Sequence, residues 1–184
     1  MVVPQEYQNV YIPEWAGVKE LNIGNAWRAV WAERDALPPL APVLYGYVVV
    51  VCDDKGYVTR SAGDTRWAAA EGAVSADEQP EAFVKRITLE QTGAQAGKPY
   101  LMGYFECKAT SFNPDFPAGY AAVRPIYLYV AKTMKDIGKG SGFERRRLPL
   151  NEFVAALRTG YPELHDHITK TVDRYLVWQA KGTL

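Results

Sequence analysis

The stretch Gly72 to Ala94, GAVSADEQPEAFVKRITLEQTGA, decides how the rest of this chain is read. Its second half, Glu81 to Thr92, holds strong helix formers and neither Gly nor Pro. Gln79-Pro80 in front and Thr92-Gly93 behind supply a helix start and a glycine stop. The segment predicts a loop, then a helix that buries Phe83, Val84 or Ile87, then a turn.

Within it, Gly72, Glu78, Arg86, Glu90, Gly93 and Ala94 stand at a fixed spacing, and Trp67 lies just upstream. In that register the stretch resembles the signature of the Nudix hydrolases: Gly, five residues, Glu, seven residues, then Arg-Glu-apolar-x-Glu-Glu-x-Gly-apolar. The resemblance implies an α/β fold, an α/β/α sandwich around a central mixed sheet. It also implies a divalent cation, Mg²⁺ or Mn²⁺, held by acidic side chains at i, i+3 and i+4 on one helix face, where carboxylates converge on a hard ion. Here those three positions are Ile87, Glu90 and Gln91, so one carboxylate of the three remains and the box is degenerate.

Two other acids bear on that deficit. Glu71 stands where the family has the first of two glycines, trading backbone freedom for a carboxylate that would partly compensate for Ile87. Glu78 belongs to the same loop. The resemblance thus implies Glu90, Glu78 and Glu71 as metal ligands, and Glu90 with Arg86 as the catalytic pair, Arg86 orienting the acids by ion pairing. A plainer reading stays open, in which Glu71, Asp77, Glu78 and Glu81 solvate the loop and favour a helix N-terminus.

Two functional readings follow. One is a pyrophosphohydrolase of nucleoside diphosphates linked to another group, weakened or silenced by the incomplete box. The other is a non-catalytic module that keeps the pocket for a nucleotide-like small molecule, RNA or a protein partner.

Composition narrows the field around these readings. At 184 residues with 48% apolar and 23% charged side chains, the chain is an ordinary globular sequence able to bury a sizeable core. Lys plus Arg and Asp plus Glu are 21 each, so no global field recruits nucleic acid or an anionic membrane, although local patches leave nucleic acid open. Cys52 and Cys107 sit in apolar surroundings and suit buried thiols. No apolar run approaches about 18 residues, and Met1 to Asn9 is short and mixed, so a cytoplasmic setting is expected.

Working outward from the box, Leu44 to Val51 (LYGYVVVV) predicts a doubly buried strand, returned as Tyr57 to Arg60 by the turn Asp53-Asp54-Lys55-Gly56. Arg66 to Ala70, Tyr100 to Ala109 and Ile126 to Lys132 read as further strands, with a long connection from Thr110 to Arg124. Residues 1–42 read as an N-terminal arm packing on a domain of residues 43–184, and as a candidate homodimer contact. Within the arm, Trp27, Val30 and Trp31 suggest a short amphipathic helix from Ala26 to Ala36. Helices are expected at Leu150 to Arg158 and Glu163 to Lys181.

The basic, glycine-rich run KDIGKGSGFERRR offers Arg145, Arg146 and Arg147 as candidate phosphate contacts through their forked donors. GKGSG itself lacks the spacing of a phosphate loop. His165 and His167, two apart on a helix, do not share a face and make no metal pair.

Overall fold

The structure, a computed structural model, describes Tyr11, Trp15 and residues 17–184. Its centre is β3 (Tyr45–Cys52), the valine run expected to be buried on both sides. Because side chains alternate along a strand, Tyr47, Val49 and Val51 enter one core while Val48, Val50 and Cys52 enter the other. The helix α1 (Pro80–Thr92) covers the second face with Phe83, Val84 and Ile87. The helices α2 (Leu150–Gly160) and α3 (His165–Ala180) cover the first with Phe153, Leu157, Ile168 and Val172.

The sheet has eight strands in the order β1-β2-β7-β8-β3-β4-β10, with β5 also paired to β3. These are β1 (Leu21–Ile23), β2 (Trp27–Ala32), β4 (Lys55–Ser61), β5 (Ala70–Ala73), β7 (Lys98–Ala109), β8 (Ala121–Val130) and β10 (Phe143–Pro149). The β3–β8 pair is parallel and the others are antiparallel, so the sheet is mixed, as expected. A small ladder of β6 (Ala94–Gln95) and β9 (Thr133–Met134) lies beside it.

Three local expectations change. Trp27 to Ala32 is a strand and not a helix: Trp27 and Ala29 reach one core, Val30 is buried on the opposite face, and the segment pairs in register with β7 from Ala109 to Tyr104. Its i, i+3, i+4 apolar spacing also satisfies a strand buried on both sides, and two tryptophans with a valine favour that state. Residues 21–32 are therefore part of the sheet, while most of the earlier arm lies outside the described residues.

The strand expected at Arg66 to Ala70 starts at Ala70, preceded by a single bridge from Ala68 to Thr59, because β5 and β4 share one edge of β3 at Tyr45–Val48 and Val50–Cys52. Finally, β8 begins at Ala121, well before Ile126. Pro125 is tolerated there because the partner strand has a register shift between Leu101 and Gly103, directly beside it.

Both residues of the Asp53-Asp54 turn have positive φ, 50° and 57°, the conformation that a tight two-residue hairpin demands. Asp54 also accepts hydrogen bonds from Tyr175 and Gln179, which ties the hairpin to α3. Cys52 and Cys107 are free and buried. Among the described residues no helix is long and apolar enough to cross a membrane.

Candidate functional site

The loop before α1 and the first turns of that helix are organised by Arg86. Its Nε and Nη2 donate to the two carboxylate oxygens of Glu78 at 2.7 and 2.9 Å, and Nη2 also reaches the carbonyl of Ala73 at 3.1 Å. Glu78 in turn accepts from the Ser75 N–H at 3.0 Å, closing the loop on itself. The bonds from Arg86 hold the Glu78 carboxyl below its ordinary range, and the same contact raises the Arg86 guanidinium. Glu90, one turn further along and half exposed, meets Arg86 only at 3.5 Å. The ion pairing of Arg86 with Glu78 and Glu90 is thus present, as a clasp between loop and helix.

The other two box positions are committed to the fold. Ile87 is 2% exposed and packs among Val48, Val50, Ala70 and Phe83. Gln91 is buried and makes a pair of bonds to the backbone of Glu71: Nε2 donates to its carbonyl at 2.7 Å, and Oε1 accepts from its N–H at 3.2 Å. An amide does this where a carboxylate would not, since only the amide supplies a donor. The helix ends at Gly93, whose φ of +76° is the left-handed cap a glycine adopts without strain. Its backbone also passes so close to the Lys135 carbonyl that a β-carbon would fall 2.0 Å away.

Glu71 does not join Glu78 and Glu90. In β5 it lies opposite Tyr47, so its side chain points to the α2/α3 side while Gly72 faces Ile87 and α1. There it accepts the Tyr161 phenol at 2.7 Å and pairs with Arg66. The expected set Glu71, Glu78 and Glu90 is therefore split across the sheet. Among the described residues no three His, Cys, Asp or Glu side chains form a group able to hold a metal ion. Mg²⁺ or Mn²⁺ needs several clustered oxygen ligands; the box offers Glu90, an isoleucine, an amide already bonded to backbone, and a guanidinium, and this donor set does not fit the ion.

The arginine run is divided as well. Strand alternation in β10 sends Arg146 to one face, where it stacks over Trp67 at 4.3 Å opposite Val58 in the ladder. Arg145 and Arg147 take the other face. Arg145 lies 5.7 Å from the Tyr57 ring and donates to the Thr92 and Lys135 carbonyls at the end of α1, capping the helix rather than facing an open cleft. The three do not form one cluster.

Where Glu71 points, a cavity of about 250 Å³ opens between β5 and the turn from α2 to α3. Tyr45, Tyr47 and Tyr161 wall it, with Arg66 and Arg124 beside them. Burial pushes the Tyr47 phenol up to about 12 and also raises Tyr161 well above its ordinary value, so both stay protonated. Arg66 donates to the Gly160 carbonyl at 3.2 Å, and its guanidinium is raised: burial, the largest single influence, opposes this, and Glu71, Tyr161 and Tyr45 together outweigh it. Arg124 is the residue that sequence reading missed. A lone charge inside the apolar strand AAVRPIYLYV was the available signal.

No protein-family model matches the chain, and no curated protein matches it. Solved structures do. The pyrophosphohydrolase BsRppH of Bacillus subtilis is 14% identical over 71% of this chain and 77% of its own, with a TM-score of 0.54. The NUDIX domain of Shewanella oneidensis NrtR, complexed with ADP ribose, is 17% identical over 74% and 89%, with a TM-score of 0.52. A NUDIX hydrolase from Nitrosomonas europaea is 17% identical over the same shares, at 0.50. At such identities the likeness speaks of architecture alone, and it agrees with the register of Gly72 to Ala94: the chain has the Nudix fold.

Proposed function

We propose that this protein is a Nudix-fold binding module for a nucleotide-like small molecule and does not carry out metal-dependent pyrophosphate hydrolysis. The observation that carries the reading is the commitment of Ile87 and Gln91, one to the apolar core and the other to the Glu71 backbone. Two of three box positions thereby serve the fold. The ligand class is supported by the NrtR domain of like fold, which is complexed with ADP ribose. A cytoplasmic setting, in which the buried Cys52 and Cys107 remain thiols, belongs to the same proposal, as does a homodimer contact through the N-terminal stretch.

A second reading, a residual hydrolase, is favoured by one feature. Glu90 is half exposed and, among the described residues, is held only by the long contact to Arg86, so its carboxylate is open to a cation. Calorimetric titration with Mg²⁺ and Mn²⁺, beside an assay of phosphate release from nucleoside diphosphate compounds, separates the two. No saturable metal binding and no hydrolysis are expected. Metal binding coupled to turnover, both lost in Glu90→Gln, would establish the hydrolase instead.

A further inference from the structure

The strand β10 forms one edge of the sheet, and its outer side is open over a short, bounded window. Thr59 of β4 exchanges both of its backbone bonds with Ala68, at 2.8 and 2.9 Å, so it points away from β10, and Arg145 opposite it points away from β4. Alternation along an antiparallel pair then turns the N–H and C=O of Phe143, Arg145 and Arg147 outward. Those of Phe143 are taken by the Ser141 hydroxyl, which accepts the N–H at 3.1 Å and donates to the C=O at 3.0 Å. Pro149, at the other end, has no N–H to offer. The N–H and C=O of Arg145 and of Arg147 are left with no backbone partner among the described residues.

Positive charge flanks this window on both faces of the sheet. Arg146 lies on the α2 side, its guanidinium 4.3 Å from the Trp67 ring, with Arg60 at 4.5 Å from the same ring. Arg147 lies exposed on the α1 side. Arg60 is matched by Glu144, whereas among the described residues no carboxylate forms an ion pair with Arg146 or Arg147. Arg145 is already spent on the carbonyls at the end of α1.

We infer that β10 takes an extended acidic segment of a partner protein as an added antiparallel strand, bonded to the backbone of Arg145 and Arg147, with its carboxylates on Arg146 and Arg147. Neighbouring side chains on a strand point to opposite faces, so two consecutive acids meet both arginines at once. A second copy of this chain does not suit the edge. Pairing two β10 strands about Arg146 would set Arg146 against Arg146 and Arg145 against Arg147, and like charges directly opposite destabilise a pair. The arginines thus bar the edge to itself, as charged side chains on exposed edges do, and leave it open to the opposite charge. A nucleic acid would use the charge but has no row of alternating donors and acceptors to match the four open backbone groups, whereas strand addition uses them all. The edge shares no residue with the cavity walled by Tyr47 and Tyr161, so the inference stands apart from what that cavity binds.

The test is fluorescence anisotropy on the full chain at low ionic strength, where exposed charges are least screened. The probe is a fluorescein-labelled peptide in which two adjacent glutamates are flanked by valine and threonine, and it should bind saturably. Binding at least tenfold weaker is expected for the same peptide with glutamines, which lacks the charge, and for the same peptide N-methylated along its backbone, which lacks the ladder. The double variant Arg146→Glu with Arg147→Glu should lose the acidic peptide to the same extent and gain one carrying lysines in place of the glutamates. Circular dichroism checks that it folds. Whether or not it does, the Arg145 and Arg147 amides of the wild type, followed by NMR, should exchange more slowly with solvent once the acidic peptide is bound. Absence of binding, equal binding of the glutamine or N-methylated peptide, a folded double variant that binds as wild type does, or amides whose exchange is unchanged would each overturn the inference. Tighter binding of a labelled oligouridylate than of the acidic peptide would make the patch a nucleic-acid contact and overturn it as well.

Discussion

Ile87 lies against Gly72 so closely that a β-carbon on the glycine would come within 2.7 Å of Ile87 Cδ1. The contact joins β5 to α1, and it requires the glycine and the isoleucine together. Gly72→Ala should therefore lower stability by about 1–3 kcal/mol through overpacking. In an Ile87→Val background, which lacks Cδ1, the same substitution should cost measurably less. Urea midpoints of the two single variants and the double variant form the cycle. Additive losses would show that the two side chains do not compete for the space.

Glu78 gives the loop a dependence on acid. Its carboxyl is held below the ordinary value of 4.5 by the bonds from Arg86. A depressed folded value means that the unfolded chain takes up the proton first, so the stabilisation is complete above about pH 4.5 and is lost as pH falls toward the lower folded value. Wild type should lose stability across that window more steeply than Glu78→Gln. Parallel slopes in thermal melts between pH 5 and about pH 3 would mean that the pair contributes nothing there.

Much of this architecture is legible from the chain because its signals are local. The run from Tyr47 to Val51 is apolar at every position, and Pro80 and Gly93 bracket α1 with residues whose backbone preferences fix helix ends. The last helix, α3, is likewise marked by the apolar spacing of Ile168, Val172 and Tyr175. What stayed hidden depends on partners distant in sequence. Trp27 to Ala32 becomes a strand because β7 receives it, and Glu71 turns away from α1 because β5 pairs opposite Tyr47. The register of the box identified the fold, but spacing along the chain does not tell which side of β5 a carboxylate faces.

His167 makes the packing of β2 on α3 sensitive near neutrality. Its imidazole stacks on Trp31 at 4.9 Å and meets the Phe105 ring edge to face at 5.5 Å. Burial lowers its proton affinity first, then Lys170, with His165 and Lys19 adding and Asp166 opposing. Because the folded value lies below the ordinary 6.5, the unfolded chain protonates first, and stability should decline as pH falls below about 6.5. His167→Phe keeps an aromatic ring between the two partners and should remove that decline. A slope unchanged in the variant would assign it to another group.

Gln91→Glu tests the box most directly, because it alters a single atom of the side chain. The new carboxylate would retain the acceptor for the Glu71 N–H but replace the donor that now satisfies the Glu71 carbonyl, leaving two oxygens opposed at a buried position. Loss of a buried hydrogen bond with an unsatisfied partner costs roughly 1–3 kcal/mol, and that loss should appear at pH 8. Burial raises the folded proton affinity of such a group, so the folded chain would protonate first. A protonated Glu regains the donor, and stability should recover as pH falls through the raised folded value toward the ordinary carboxylate range. Denaturant midpoints at pH 8 and pH 5, set against wild type, read this out. The same variant then meets Mg²⁺: the binding-module reading expects no gain in melting temperature, because Ile87 still occupies the first of the three positions on the face. A Mg²⁺-dependent gain that Glu90→Gln abolishes would place a metal site one substitution away and return the hydrolase reading to the fore.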